Sequence, residues 1–152
     1  MSTIATRLGE LNITLPETPQ PVANYVTAVQ TGSLLFVSGH TSTKVGREVK
    51  GKLGGGVTLD AGYAAARSVA IDIIATIHAH IGDLDRVARI VKLTGMIAST
   101  PDFVDQPKVM NGASDLFVEV FGDKGKHARA AIGMVSLPGD ASVGIEAVVE
   151  VR

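Results

Sequence analysis

His127–Arg152 reads HARAAIGMVSLPGDASVGIEAVVEVR, and its two alternating halves govern how the rest of the chain is read. Ala128–Leu137 and Val143–Arg152 alternate around Leu137-Pro138-Gly139-Asp140, which has turn composition, so the stretch predicts a closing hairpin. The last strand offers Val143, Ile145, Ala147, Val149 and Val151 to one side and Val148 to the other. Turning near Gly139-Asp140 would set Arg129 opposite residues 150–151. Arg129 and Glu146 would then stand on the order of 15 Å apart within one chain. One ligand could meet both only if different copies supplied them.

Upstream, Asp85–Ser99 alternates and is rich in β-branched residues, as a long strand would be. Thr100-Pro101-Asp102 reads as a helix entry, with Pro107 restarting the helix a turn later. Val109, Ala113, Leu116, Phe117 and Val120 form its apolar face up to Gly122. An earlier helix is set between Thr58 as N-cap and Gly82. Tyr63, Ala66, Ala70, Ile73, Ile74, Ile77 and Ile81 make its apolar stripe, and Ser68, Asp72, Thr76 and His80 its polar face. Tyr25–Gln30 and Leu34–Ser38 flank Thr31-Gly32-Ser33 as a hairpin, and a short edge strand is expected near Arg47–Lys50. Residues 1–24 read as an N-terminal extension packed on a single domain of residues 25–152. Ile4, Leu8 and Leu11 mark a short helical face there, and Pro16, Pro19 and Pro21 an extended stretch.

The order is β-β-(β)-α-β-α-β-β, an α+β fold with a mostly antiparallel sheet of five to six strands. Two helices cover only one face of such a sheet. The other face carries Val148, and Gly95, Gly133 and Gly144 interrupt strands as glycine does where backbone is closely approached. A second copy of the chain is the simplest cover for that face.

Formal net charge is −1, with 14 basic and 15 acidic side chains, so the basic surplus of a nucleic-acid binder is missing. Nucleic acid is therefore not expected as a partner. No apolar run approaches the roughly 20 residues of a membrane span. The chain has no cysteine, which removes disulfides, thiolate metal sites and thiol nucleophiles and fits a reducing, cytoplasmic setting. Met1–Asn12 does not read as a signal peptide. His78 and His80 diverge around their helix, and His40 and His127 are isolated, so no metal site is expected and no cofactor is implied.

Several stretches together carry a resemblance: VANYVTAVQTGSLLFVSG, GKLGGG, DLDRVARIVKLTGMIAS, PDFVDQPKVMNGASDLFVEVFG and the C-terminal stretch quoted above. In this order the chain resembles the RidA/YjgF family, also known as endoribonuclease L-PSP-like, in its longer branch of about 150 residues. The resemblance implies a chorismate-mutase-like fold, homotrimers and a cleft at each subunit boundary. It implies hydrolysis of reactive 2-imino acids, or their enamine tautomers, to 2-oxo acids and ammonia. It assigns Arg129 to the substrate carboxylate, and Tyr25, Asn111 and Glu146 to the site. Ala131 stands where the family commonly has cysteine, and Ser38-Gly39-His40 where shorter members read S-G-Q.

The residue chemistry fits these roles. A guanidinium grips a carboxylate through two parallel hydrogen bonds, although a strand can also end on a plain surface arginine. Glu146 lies in VGIEAVVEV, a strand expected to be buried. It can activate the attacking water or pair with an arginine across an interface. Tyr25 can close on a ligand or pack in its hairpin, and Asn111 can bind substrate or line its helix. A non-catalytic module binding a small carboxylate would use the same anchor. A ribonuclease is the third reading, which the near-neutral charge disfavours.

Overall fold

The first helix, α1 (Thr3–Glu10), begins on a carboxylate from far along the chain. Asp85 accepts hydrogen bonds from the Ser2 hydroxyl and from the Thr3 and Ile4 N–H groups. Leu8 is buried from this helix, and Arg7 Nε donates to the Glu119 carbonyl, so the extension is fastened to the domain. The computed structural model describes residues 2–18, 20, 21 and 23–152. Pro19 of the expected extended stretch, Val22 and Met1 lie outside them.

Strands β1 (Ala28–Thr31) and β2 (Leu34–Thr41) form the expected hairpin around Gly32, whose φ of +59° suits glycine. In place of an edge strand at 47–50, Lys50 makes one bridge to Ala141. The short pair β3 (Lys52–Leu53) and β4 (Gly56–Val57) follows. Helix α2 (Leu59–Ile81) opens with the Ala61 N–H donating to the Thr58 hydroxyl and ends at Gly82 with φ +81°. It has the length and hydropathy to cross a membrane, but most of it is buried against the sheet and the next helix as core.

After a 3-10 turn at Leu84–Arg86 come β5 (Val87–Ala98), α3 (Gln106–Phe121), β6 (Ala128–Met134) and β7 (Val143–Val151). Helix α3 starts later than Pro101 would place it. The Thr100 hydroxyl donates to Asp102 and its N–H to the Leu53 carbonyl, which holds 100–103 as a turn, and Pro107 falls in the helix's first turn.

The sheet order is β1-β2-β7-β5-β6, with β5 and β6 parallel and the other pairs antiparallel. The closing hairpin is therefore corrected: β6 and β7 run oppositely, but β5 lies between them. The 135–142 connection carries the chain across the end of β5. Ser142 N–H donates to the Val49 carbonyl and Ala98 N–H to the Ser142 carbonyl, which anchors the crossing.

Helices α2 and α3 cover one face, where Leu35, Leu93, Ile97, Ile145 and Val149 are fully buried. Gly95 and Gly133 do mark close approach, and within the chain the neighbours are Met110 and Gln106 of α3. The opposite face lies open. Val29, Phe36 and Ile132 are exposed on it, beside Val148, Lys92, Thr94 and Glu146. Glu146 is thus exposed rather than buried, because it has the parity of Val148 and not of Ile145.

Candidate functional site

The sheet register decides which candidate residues meet. Arg129 on β6 and Ala147 on β7 both pair with Leu93 of β5, while Glu146 pairs with Thr94. Laterally paired residues share a face, so Arg129 points to the helical side with Leu93, and Glu146 to the open side with Thr94. Their backbones are two strand spacings apart, about 10 Å, not the 15 Å of a hairpin. Their side chains diverge all the same. Tyr25 precedes β1, at the other end of the strand order from β6.

Arg129 and Asn111 are brought together. Arg129 Nη1 donates to Asn111 Oδ1 at 2.8 Å and to the Ser114 hydroxyl at 3.1 Å, both from α3. Its Nε and Nη2 take no partner among the described residues, and Arg129 is exposed on the edge strand β6. Ala131 stands two residues along on the same face, half-buried against the core, and offers only a methyl group.

Below Arg129 lies a support that sequence reading missed. His127 Nδ1 lies 2.6 Å from the Gly125 carbonyl, and its Nε2 lies 2.9 Å from Ser114 Oγ. A carbonyl only accepts, so Nδ1 carries the hydrogen, and in the neutral ring Nε2 accepts from Ser114. Burial holds the His127 pKa below its usual value. The Gly125 bond works against that shift and the Arg129 charge adds to it. The relay runs from Arg129 through Ser114 and His127 to Gly125.

The other candidates gather around an irregularity in β2. Val37 pairs with Ala147 and His40 with Ile145, so Ser38-Gly39 bulges opposite Glu146. Ser38 lines a cleft of about 410 Å³ with Glu146, Phe36, Lys92 and Thr94. It also lines a cavity of about 190 Å³ with Tyr25 and His40. Tyr25 and Glu146 therefore flank one bulge.

His40 holds that bulge from below. Its Nδ1 lies 2.6 Å from the Ser38 carbonyl and its Nε2 2.7 Å from the Thr76 hydroxyl. Burial lowers its pKa, opposed by the Ser38 bond and the Asp72 charge, with Lys44 adding to the lowering. Asp72 and Thr76, read as a polar helix face, are instead buried beneath this strand and the 44–47 loop. Asp72 accepts from Arg47 Nη2 at 2.6 Å and Lys44 Nζ at 3.2 Å. Among the described residues no group of three or more His, Asp or Glu is placed to hold a metal ion.

The candidate residues thus fall into two groups on one sheet. One is Arg129 with Asn111 at the β6 edge, and the other is Tyr25, the Ser38-Gly39 bulge and Glu146 toward β1. The sequence profile of the family described as "YjgF/chorismate mutase-like, putative endoribonuclease" matches residues 5–146. The chain belongs to that family. Protein TCP17 of Trypanosoma cruzi is 44% identical over 151 residues, which is 98% of this chain and 94% of its own. The crystal structure of protein Atu1372 from Agrobacterium tumefaciens matches with a TM-score of 0.91 at 45% identity, over 98% of this chain and 92% of that one. A Shewanella oneidensis protein with the same endoribonuclease description matches at 0.94 and 30% identity, over 99% and 100% of the two chains. The family's chorismate-mutase-like architecture is the one described above.

Proposed function

We propose that the protein hydrolyses reactive 2-imino acids, or their enamine tautomers, to 2-oxo acids and ammonia in the cytoplasm. The site is a cleft between copies of a homotrimer. The observation that carries this is the Arg129 guanidinium. It is tethered through one nitrogen only, and its remaining N–H groups are open at a sheet edge.

In this reading one copy contributes Arg129 and Asn111, which hold the substrate carboxylate. The next contributes Tyr25 and Glu146 around the bulge. Glu146 accepts a proton from water as its oxygen bonds to the imine carbon and the imine nitrogen takes up a proton. The proton taken up by the nitrogen is the one Glu146 removed from water. In the resulting carbinolamine the hydroxyl proton passes through Glu146 to the amino nitrogen and the C–N electron pair goes to nitrogen. Ammonia departs as the C=O forms and Glu146 returns to its carboxylate. The imine is already activated, so carboxylate anchoring and an aligned water supply much of the acceleration. The uncovered apolar face with Phe36, Val29 and Ile132 supports assembly with other copies.

The test is ammonia and 2-oxo acid release from freshly generated 2-imino acids, with wild type and Arg129→Ala side by side. We expect acceleration by wild type and a loss of at least about a hundredfold in the variant, from losing a charge-assisted bidentate grip. An Arg129→Ala variant with full activity refutes the assignment. Saturable binding of 2-oxo acids without turnover would leave a carboxylate-binding trimer. Cleavage of RNA by purified protein would favour the family's descriptive name, against the net charge of −1.

A further inference from the structure

The cavity beside the bulge has no aliphatic side chain in its wall. It encloses about 190 Å³ and is lined by the hydroxyl-bearing Tyr25, Thr27, Thr41 and Thr43, by His40, and by Lys44 together with the Asp72 carboxylate that Lys44 and Arg47 neutralise. A pocket for an apolar substituent is built the other way, from hydrophobic walls with a few polar groups. Placing a methyl-ended chain among these groups would desolvate them without replacing their hydrogen bonds.

The charge there is unbalanced as well. Asp72 accepts from both Lys44 and Arg47, so two cations share one carboxylate and the cluster keeps one net positive charge. Lys44 alone of the two cations lines the cavity. Two of its three N–H donors are engaged, by Asp72 and by the Glu17 carbonyl at 2.9 Å. The third remains for a ligand. His40 adds no charge, since burial favours its neutral form.

We infer that this cavity takes the side chain of the substrate and selects one ending in a second carboxylate, which Lys44 binds. This rests on the proposed reading, in which Arg129 of a neighbouring copy holds the first carboxylate. It names the substrate class as dicarboxylic 2-imino acids and makes Lys44 the residue that sets specificity.

The discriminating pair is 2-oxoglutarate and 2-oxopentanoate, five-carbon acids that differ only in a terminal carboxylate against a methyl. Calorimetric binding of both is measured for wild type, Lys44→Met, Lys44→Arg and Arg129→Ala. Hydrolysis of the corresponding imines, generated from glutamate and norvaline, is followed in parallel. Wild type should favour the dicarboxylate by about tenfold or more, the worth of a charge-assisted hydrogen bond. Lys44→Met should bring the ratio near one by weakening only the dicarboxylate, and Lys44→Arg should restore it. Asp72 keeps Arg47, its shorter ion pair, in the methionine variant, so the fold should persist.

Equal or reversed preference in wild type overturns the inference, as does a Lys44→Met variant that weakens both acids alike. Those outcomes leave Arg129-dependent hydrolysis intact. If Arg129→Ala changes neither binding nor turnover, the proposed reading falls instead. A Lys44-dependent preference for 2-oxoglutarate would still uphold the cavity as a dicarboxylate site.

Discussion

Mixing two inactive variants separates a site shared between copies from a site within one. Arg129 and Glu146 lie on opposite faces of the sheet, so in the proposed reading each working site takes Arg129 from one copy and Glu146 from the next. Arg129→Ala lacks the anchor at every site, and Glu146→Gln lacks the base at every site. Unfolded and refolded together in equal amounts, they assemble at random. A given site then draws an intact arginine from a Glu146→Gln copy half the time and an intact glutamate from an Arg129→Ala copy half the time. About a quarter of wild-type activity should return. Any mixed ring of three has one intact site of three, and mixed rings are three quarters of the population, which gives the same figure. Ammonia release from 2-imino acids reads the outcome, with each variant refolded alone as the control. Recovery of nothing above those controls, from a mixture proven by mass to contain mixed oligomers, refutes the shared site.

Two further perturbations test the assembly and the extension. Phe36 is 45% exposed in the single chain, on the open face of the sheet between Val29 of β1 and Val148 of β7. Phe36→Asp should lose about 1.5–3 kcal/mol of burial per copy on association, with several more for burying a carboxylate. Sedimentation should then show a particle of 15.7 kDa in place of one three times heavier, with the circular dichroism of wild type. A variant that sediments like wild type would remove the open face from the interface. At α1, Asp85→Ala should free the helix and speed tryptic cleavage after Arg7, and unchanged cleavage would rule Asp85 out as the latch. The Ile4 and then the Thr3 N–H groups, followed by the Ser2 hydroxyl, hold the Asp85 carboxyl below its usual pKa. A carboxyl depressed in the fold stabilises above its unfolded pKa and loses that contribution as pH falls through the folded value. Acid should therefore loosen α1 in wild type and leave Asp85→Ala unaffected.

The local elements were legible because each carries its own stop signals. Thr58 and Gly82 bound α2 as expected, and Gly32 turns the first hairpin. What alternation cannot encode is which strand lies beside which. β6 and β7 alternate well enough to pair, yet the helical crossover from β5 sets β6 parallel to it and sends β7 to its other side. That misplaced neighbour produced the wrong separation for Arg129 and Glu146. The expectation that one ligand meets both only through different copies now rests on facing, which follows from strand parity. Ser114 and His127 were invisible for a related reason. Nothing local ties a serine in α3 to a histidine beyond it until the helix packs along β6. Asp72 and Thr76 have polar-face spacing in sequence and are buried only because a bulged strand and a cationic loop cover them.

His40, buried, and His127, half-buried, bear on the chemistry in the same way. Each gives its Nδ1 hydrogen to the carbonyl two residues before it, Ser38 for His40 and Gly125 for His127. Each accepts at Nε2 from a helix hydroxyl, Thr76 or Ser114. In both, burial is the chief cause that lowers the pKa. A lysine or arginine in either place would bring a second cation beside Lys44 or Arg129 and blunt the selection of one carboxylate at each. An aliphatic residue would remove the donor to the Ser38 or Gly125 carbonyl and the acceptor of the Thr76 or Ser114 hydroxyl hydrogen, at roughly 1–3 kcal/mol each. A neutral imidazole with both nitrogens engaged avoids both costs. It stiffens each half-site and leaves the field there to Lys44 and Arg129, the two groups that a dicarboxylic substrate would bridge.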